Sequence, residues 1–143
     1  MLKILLAVDG SESATRAARK LVESLPWYRE PPTIDLLSVH LSVPNLPNMS
    51  LVISQDMLDS YYREECTAML APSRKVLDDA GVTYTAHWKV GAIAETIVEQ
   101  AKRFDSDMIY MGTRGMTALS NVLLGSNATK VLHMTHIPIV LVH

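Results

Sequence analysis

Apolar positions along this chain alternate between short continuous runs and helical spacing. Residues 2–8 are apolar except for Lys3 and stop at Asp9-Gly10-Ser11, which predicts a strand buried on both faces of a parallel sheet. Ala14, Ala17, Ala18, Leu21, Val22 and Leu25 then fall on one helical face, with Ser11 or Ser13 as the N-cap and Pro26 as the stop. Residues 34–41 read as a second strand, and 42–48, with Pro44 and Pro47, as a loop. A long helical stretch over 51–80 carries Leu58, Tyr61, Tyr62, Met69, Val76 and Leu77 on its buried side; Pro72 inside it predicts a kink or a split, and Gly81 ends it. Strands are expected at 82–88, 108–111 and 137–142, with helices between them marked by Ile93, Ile97, Val98, Ala101 and Phe104 and by residues 127–134. Strand and helix alternate throughout, which predicts an α/β fold with a parallel sheet and right-handed crossovers, organised as one domain over 1–143.

Composition changes this picture little. Hydrophobic residues are 48% and charged residues 20% of the chain, and the formal net charge is −2. A balance this neutral argues against a nucleic-acid binder, which carries a basic patch. No apolar stretch approaches membrane-spanning length, and the apolar start lacks a cleavage pattern, so the expected location is the cytoplasm with no membrane partner. The single cysteine, Cys66, rules out an intramolecular disulfide and reads as a packing residue. His40 and His87 fall on strands and read as packing or edge residues, and His133 and His136 as surface or capping residues rather than metal ligands.

The chemistry concentrates in a glycine pattern. Gly112-Thr113-Arg114-Gly115 follows an expected strand, and nine residues later Gly125-Ser126-Asn127 opens a helix. A helix N-terminus offers unpaired N–H groups and the positive end of a dipole, and glycines let backbone approach an anion closely. Gly125, Ser126, Asn127 and Ala128 are therefore candidates to hold phosphate, and Gly112, Thr113 and Gly115 to fold over phosphate or ribose. Arg114 can neutralise phosphate or sit as an exposed turn residue. Ligands of open α/β sheets bind at strand C-termini where strand order reverses, so Asp9 and Gly112 share that site if their strands are neighbours. Asp9 can accept from a ribose or adenine donor, or cap the first helix.

The opening Ile4-Leu5-Leu6-Ala7-Val8-Asp9-Gly10-Ser11, the run from Asp107 through Met111 into Gly112-Thr113-Arg114-Gly115, and Gly125-Ser126 with the closing Pro138-Ile139-Val140-Leu141-Val142 resemble the universal stress protein family. The resemblance implies a doubly wound, open, five-stranded parallel sheet in the order 3-2-1-4-5 with helices on both faces. It also implies the branch that binds ATP, with ADP or AMP as further ligands and Mg²⁺ as a companion of the phosphates. It places Asp9 beside the adenosine with the backbone of Ala7 and Val8, turns the main chain of Val39 to the adenine edge, and leaves Met111 and Ala7 lining the base slot. It implies a homodimer through the last strand (Ile137, Pro138, Ile139, Val140, Leu141, Val142), acting as a stress-response binding module. Weak ATP hydrolysis, or a dimeric interaction protein without nucleotide, stays open as an alternative; a phospho-receiver lacks its acidic pair after the first strand.

Overall fold

The computed structural model describes residues 1–44, 47–48, 52–114 and 124–143. Strands β1 (Lys3–Ala7), β2 (Thr33–His40), β3 (Thr85–Val90), β4 (Met108–Gly112) and β5 (Ile139–Val142) form one parallel sheet in the order β3-β2-β1-β4-β5. Helices α1 (Glu12–Ser24), α2 (Gln55–Asp79), α3 (Ile93–Arg103) and α4 (Ser126–Met134) supply the crossovers. The α/β, doubly wound architecture and its strand order are those expected from the sequence.

Alternation along β1 sorts its side chains between two cores. Ile4, Leu6 and Val8 join Ala14, Ala17 and Leu21 of α1, Leu70 and Leu77 of α2, and Tyr110. Leu5 and Ala7 join Ile97, Val98 and Ala101 of α3, and Ala128 and Val131 of α4. So α1 and α2 cover one face and α3 and α4 the other. Strand order reverses between β2 and β4, on either side of β1, and this opens a crevice at the C-terminal ends of the strands.

Several boundaries differ from the sequence reading, each for a local reason. Ser54 caps α2 with its hydroxyl accepting from Met57 N–H, so the helix starts at Gln55. Pro72 lies inside α2 without splitting it. The lost hydrogen bond is outweighed by a continuous buried stripe on both sides of the proline: Tyr62, Cys66, Leu70, Ser73 and Leu77. Tyr61, expected on that stripe, is exposed. The third strand begins at Thr85 rather than residue 82, because Gly81 N–H donates to the Asp78 carbonyl and Val82 N–H to that of Leu77, a closure that consumes the segment as a helix cap. The last strand begins at Ile139, after Ile137 N–H is spent on Thr135 Oγ1. Cys66 is fully buried, and burial pushes its thiol pKa up, as suits a packing residue.

One buried polar chain ties α1 to β4. Ser24 Oγ donates to the Leu21 carbonyl at 2.9 Å and lies 3.0 Å from the Tyr110 hydroxyl, which is 2.6 Å from that of Tyr28. Each hydroxyl has one proton, so with Ser24 committed to Leu21, Tyr110 donates to Ser24 and Tyr28 donates to Tyr110. Burial, then this donation to Tyr110, pushes the Tyr28 phenol up to about 12. A folded pKa above the unfolded one stabilises the native state fully below about pH 10, and that contribution is lost as pH rises through about 12. Ultraviolet titration should find Tyr28 ionising after an ordinary tyrosine, and Tyr110→Phe should bring its titration down; an unmoved Tyr28 titration in that variant contradicts the chain as drawn.

Candidate functional site

The crevice holds a cavity of about 850 Å³, within the range of small-molecule sites. Its floor is the ends of the central strands: Ala7, Val8 and Asp9 after β1, Leu37 and Val39 of β2, and Met111 and Gly112 of β4. Thr113 and Arg114 continue from β4, and Gly125, Ser126, Asn127 and Ala128 close that side at the start of α4. Every candidate residue that the structure describes therefore lines one space. Gly115 lies outside the described residues.

The end near α4 is built to receive negative charge. Gly125 is the N-cap of α4 and provides no side-chain cap, so Ser126, Asn127 and Ala128 occupy the first turn, whose N–H groups have no partner within the helix. Gly125 N–H itself donates to the Thr113 carbonyl, which pins the start of α4 to the chain leaving β4. Among the described residues, Nε of Arg114 is buried without a hydrogen-bond partner. Arg114 and the start of α4 line the same cavity, so a positive charge and a helix N-terminus share one space, which suits an anion.

Asp9 does not cap α1. Ser11 does, its hydroxyl accepting from Ala14 N–H at 3.1 Å, and Asp9 Oδ1 accepts from Ser11 N–H at 2.9 Å. The carboxylate is thus oriented from below by the helix it precedes. Gly10, at φ +85°, turns the chain between them and faces α2: a Cβ there would lie 3.2 Å from Met69 Cα.

Gly112 has a different reason from the one its motif suggests. A Cβ on it would collide with Ser13 Oγ and lie 2.7 Å from the Ser13 carbonyl carbon and 2.8 Å from its oxygen. The missing side chain admits the first turn of α1 against the end of β4. Ser13 Oγ in turn accepts from Arg114 N–H at 3.2 Å.

Main-chain groups complete the floor. Val8 N–H donates to the Leu37 carbonyl at 2.9 Å, so Leu37 faces β1. Backbone groups of alternate residues point the same way in a strand. Val39 therefore turns its N–H and C=O toward the same side, past Ala7, where the β1–β2 pairing stops at Leu37.

Sequence reasoning missed the side walls. Ile93 and Ile97 of α3 and Leu124 line one side, and His40, Leu41, Glu65 and Met69 another. His40, read as a packing or edge residue, faces the cavity, with its ring edge-on to Tyr61 and Tyr62 at 5.6 and 5.7 Å. Its position at the end of β2 was the available signal, because strand ends at a switch point are where ligands sit. Glu65 carried no such signal, since its helix enters the site only through tertiary packing. His87 instead pairs with Asp35 at 2.8 Å and stacks on Phe104, while His133 and His136 are exposed. Among the described residues no group of three His, Cys, Asp or Glu is placed to hold a metal, and no helix is long and apolar enough to cross a membrane.

A model of the universal stress protein family matches residues 1–143. The chain is 30% identical over 141 residues to universal stress protein MJ0531 of Methanocaldococcus jannaschii, covering 98% of this chain and 81% of that one. It is 32% identical over 152 residues to MJ0577 of the same organism, covering 98% and 93%. The solved structure of MJ0577 superposes with a TM-score of 0.81 at 28% identity, over 99% of this chain and 94% of that chain. A universal stress protein from Archaeoglobus fulgidus, solved in complex with dAMP, shares the fold at a TM-score of 0.66 and 22% identity, over 100% and 98% of the two chains.

Replacing Gly112 by Ala should destabilise the fold by about 1–3 kcal/mol, the usual cost of overpacking, because the Ser13 backbone cannot withdraw without moving α1. Urea unfolding measures it; an unchanged midpoint would show that α1 is free to retreat.

Proposed function

The chain belongs to the universal stress protein family, and from that premise we propose that it is an adenine-nucleotide-binding stress-response module that takes ATP, with ADP and AMP as weaker relatives. One observation carries the reading: a single cavity is lined by the first turn of α4 and by Arg114 on one side, and by Val39 and the oriented carboxylate of Asp9 on the other. The dAMP complex of the Archaeoglobus fulgidus relative supports an adenylate as the ligand class.

In this reading phosphates lie on Gly125, Ser126, Asn127 and Ala128, with Arg114 neutralising them and the Ser126 hydroxyl adding a donor. Gly112 and Thr113 border the ribose and phosphate. The base lies over Ala7 and Met111 against Ile93 and Ile97, its edge on the Val39 main chain, and Val8 and Asp9 flank the sugar. Mg²⁺ accompanies ATP through phosphate oxygens; among the described residues no group of three His, Cys, Asp or Glu is placed to hold it. The protein acts in the cytoplasm as a binding and regulatory domain rather than a hydrolase. The two carboxylates of the cavity, Asp9 and Glu65, stand on β1 and α2, whereas α4 reaches the cavity from the other face of the sheet.

Homodimerisation through β5 belongs to the same proposal. The Pro138 and Val142 carbonyls accept from Ile109 of β4 and from Thr113 just after it, so the alternate residues Ile139 and Leu141 turn their N–H and C=O away from the sheet. An apolar edge of this kind is a pairing site, and a twofold axis closes it. Sedimentation equilibrium should return twice the chain mass; a monomer at every concentration contradicts this part.

Titration calorimetry tests the ligand. At φ −66° and ψ 161°, Gly125 occupies backbone space open to any residue, so Gly125→Val should cost at most about 1 kcal/mol of stability. Its branched side chain would stand at the mouth of the α4 amides, and ATP affinity should fall at least about tenfold, the loss of one charge-assisted contact. Arg114→Gln should weaken ATP by a similar factor while leaving adenosine unchanged. ATP binding equal in wild type and both variants would contradict the assignment.

A further inference from the structure

The α2 wall of the cavity has an acidic residue that the family glycine pattern does not contain. Tyr61, Glu65 and Met69 recur every four residues and so form one row along the helix. Packing fixes both ends of the row. Met69 abuts Gly10, the residue after Asp9, and Tyr61 meets the ring of His40 at the end of β2. Glu65 sits between, half-buried, and lines the cavity with Met69. Among the described residues Glu65 makes no hydrogen bond or ion pair, whereas Asp59, Asp78 and Asp79 of the same helix are engaged by Gln55, Tyr84 and Lys75.

An ionised carboxylate only accepts hydrogen bonds. Asp9 has spent Oδ1 on Ser11 N–H, and Glu65 has spent neither oxygen. The cavity is therefore polar in an ordered way: donors and a cation at the α4 end, acceptors and negative charge on the wall made by β1 and α2. A ligand that matches carries its phosphate at one end only and presents hydroxyl donors at the other. A second phosphate on the sugar would be brought against two carboxylates in a partly desolvated space, where like charges repel several-fold more strongly than in water.

We propose that Glu65 is a specificity-determining residue of this site: together with Asp9 it accepts from the ribose hydroxyls of a 5′-phosphorylated adenosine and excludes adenosines phosphorylated on the 2′ or 3′ oxygen. The proposal rests on the nucleotide-binding reading above. It gives α2 the task of selecting among adenylates.

AMP and adenosine 3′,5′-bisphosphate differ by one phosphate and form the test pair. Calorimetry on the full chain should find AMP bound at least about tenfold more tightly than the bisphosphate, a modest effect for a like-charge contact. Glu65→Gln keeps the size of the side chain and removes the charge; it should shrink that ratio by about threefold or more, as expected from removing one like charge. Glu64→Gln, at the exposed neighbouring position, should leave the ratio as in wild type. A Glu65→Gln ratio equal to that of wild type, with AMP still bound, overturns the proposal, as does a wild-type protein that binds both ligands equally. If wild type binds neither, the nucleotide reading itself has failed and Glu65 falls with it, a result distinct from an unchanged ratio.

Discussion

The approach of the first turn of α1 to the end of β4 is the constraint on which the site depends. It is possible because Gly112 has no side chain, and Ser13 occupies the space that a Cβ would take. The hydrogen bonds around that contact form a belt. Asp9 holds Ser11, Ser11 caps α1, and Ser13 of α1 accepts from the amide of Arg114. Two strands that end side by side are thereby held with their following segments apart, one turning into α1 on one face and the other toward α4 on the opposite face. The cavity is the space this divergence leaves.

The two ends of that space acquire opposite character from ordinary backbone rules. Beginning α4 with a glycine cap leaves its first amides without side-chain competition, and the carbonyl of Thr113 secures the cap from outside. Beginning α1 with a serine cap engages the Ala14 amide, and the Ser11 amide turns the preceding carboxylate of Asp9 into an oriented acceptor. One helix start lacks a side-chain cap, and the other carries a serine cap and follows a carboxylate. A difference in capping residue thus sets the direction in which a charged ligand lies.

The central strands β1 and β4 were legible because they are buried on both faces and read as nearly continuous apolar runs. The helices α1 and α3 were legible through their periodic small and branched residues. The boundaries that went astray lie where backbone polar groups are satisfied by caps instead of ladders, as at Gly81 and Val82, and no hydrophobic pattern reports that. Asp9 and the residues from Gly125 to Ala128 were picked out by their place at a strand end or a helix start, whereas Ala7, Val8 and Val39 came from the family resemblance. Gly112 was found for a reason that its packing against Ser13 revises. Glu65 and Met69 escaped because they reach the cavity through the docking of α2, a contact distant in sequence, while His40 stands at the end of β2, where its place was a signal that went unread. Tyr61 showed the same limit: its helical spacing placed it inside, but the sheet covers only the adjacent stripe of Tyr62 and Cys66.

The central claim is that the first amides of α4 grip the phosphate end of an adenylate while β2 meets its base. Amide NMR spectra recorded with adenosine, AMP and ATP separate those two ends within one experiment. The account predicts that Val39 and its neighbours shift with all three ligands, and that Arg114, Ser126, Asn127 and Ala128 shift increasingly as phosphates are added. Phosphate-dependent shifts that leave the start of α4 untouched, or that cluster on another surface, would contradict it.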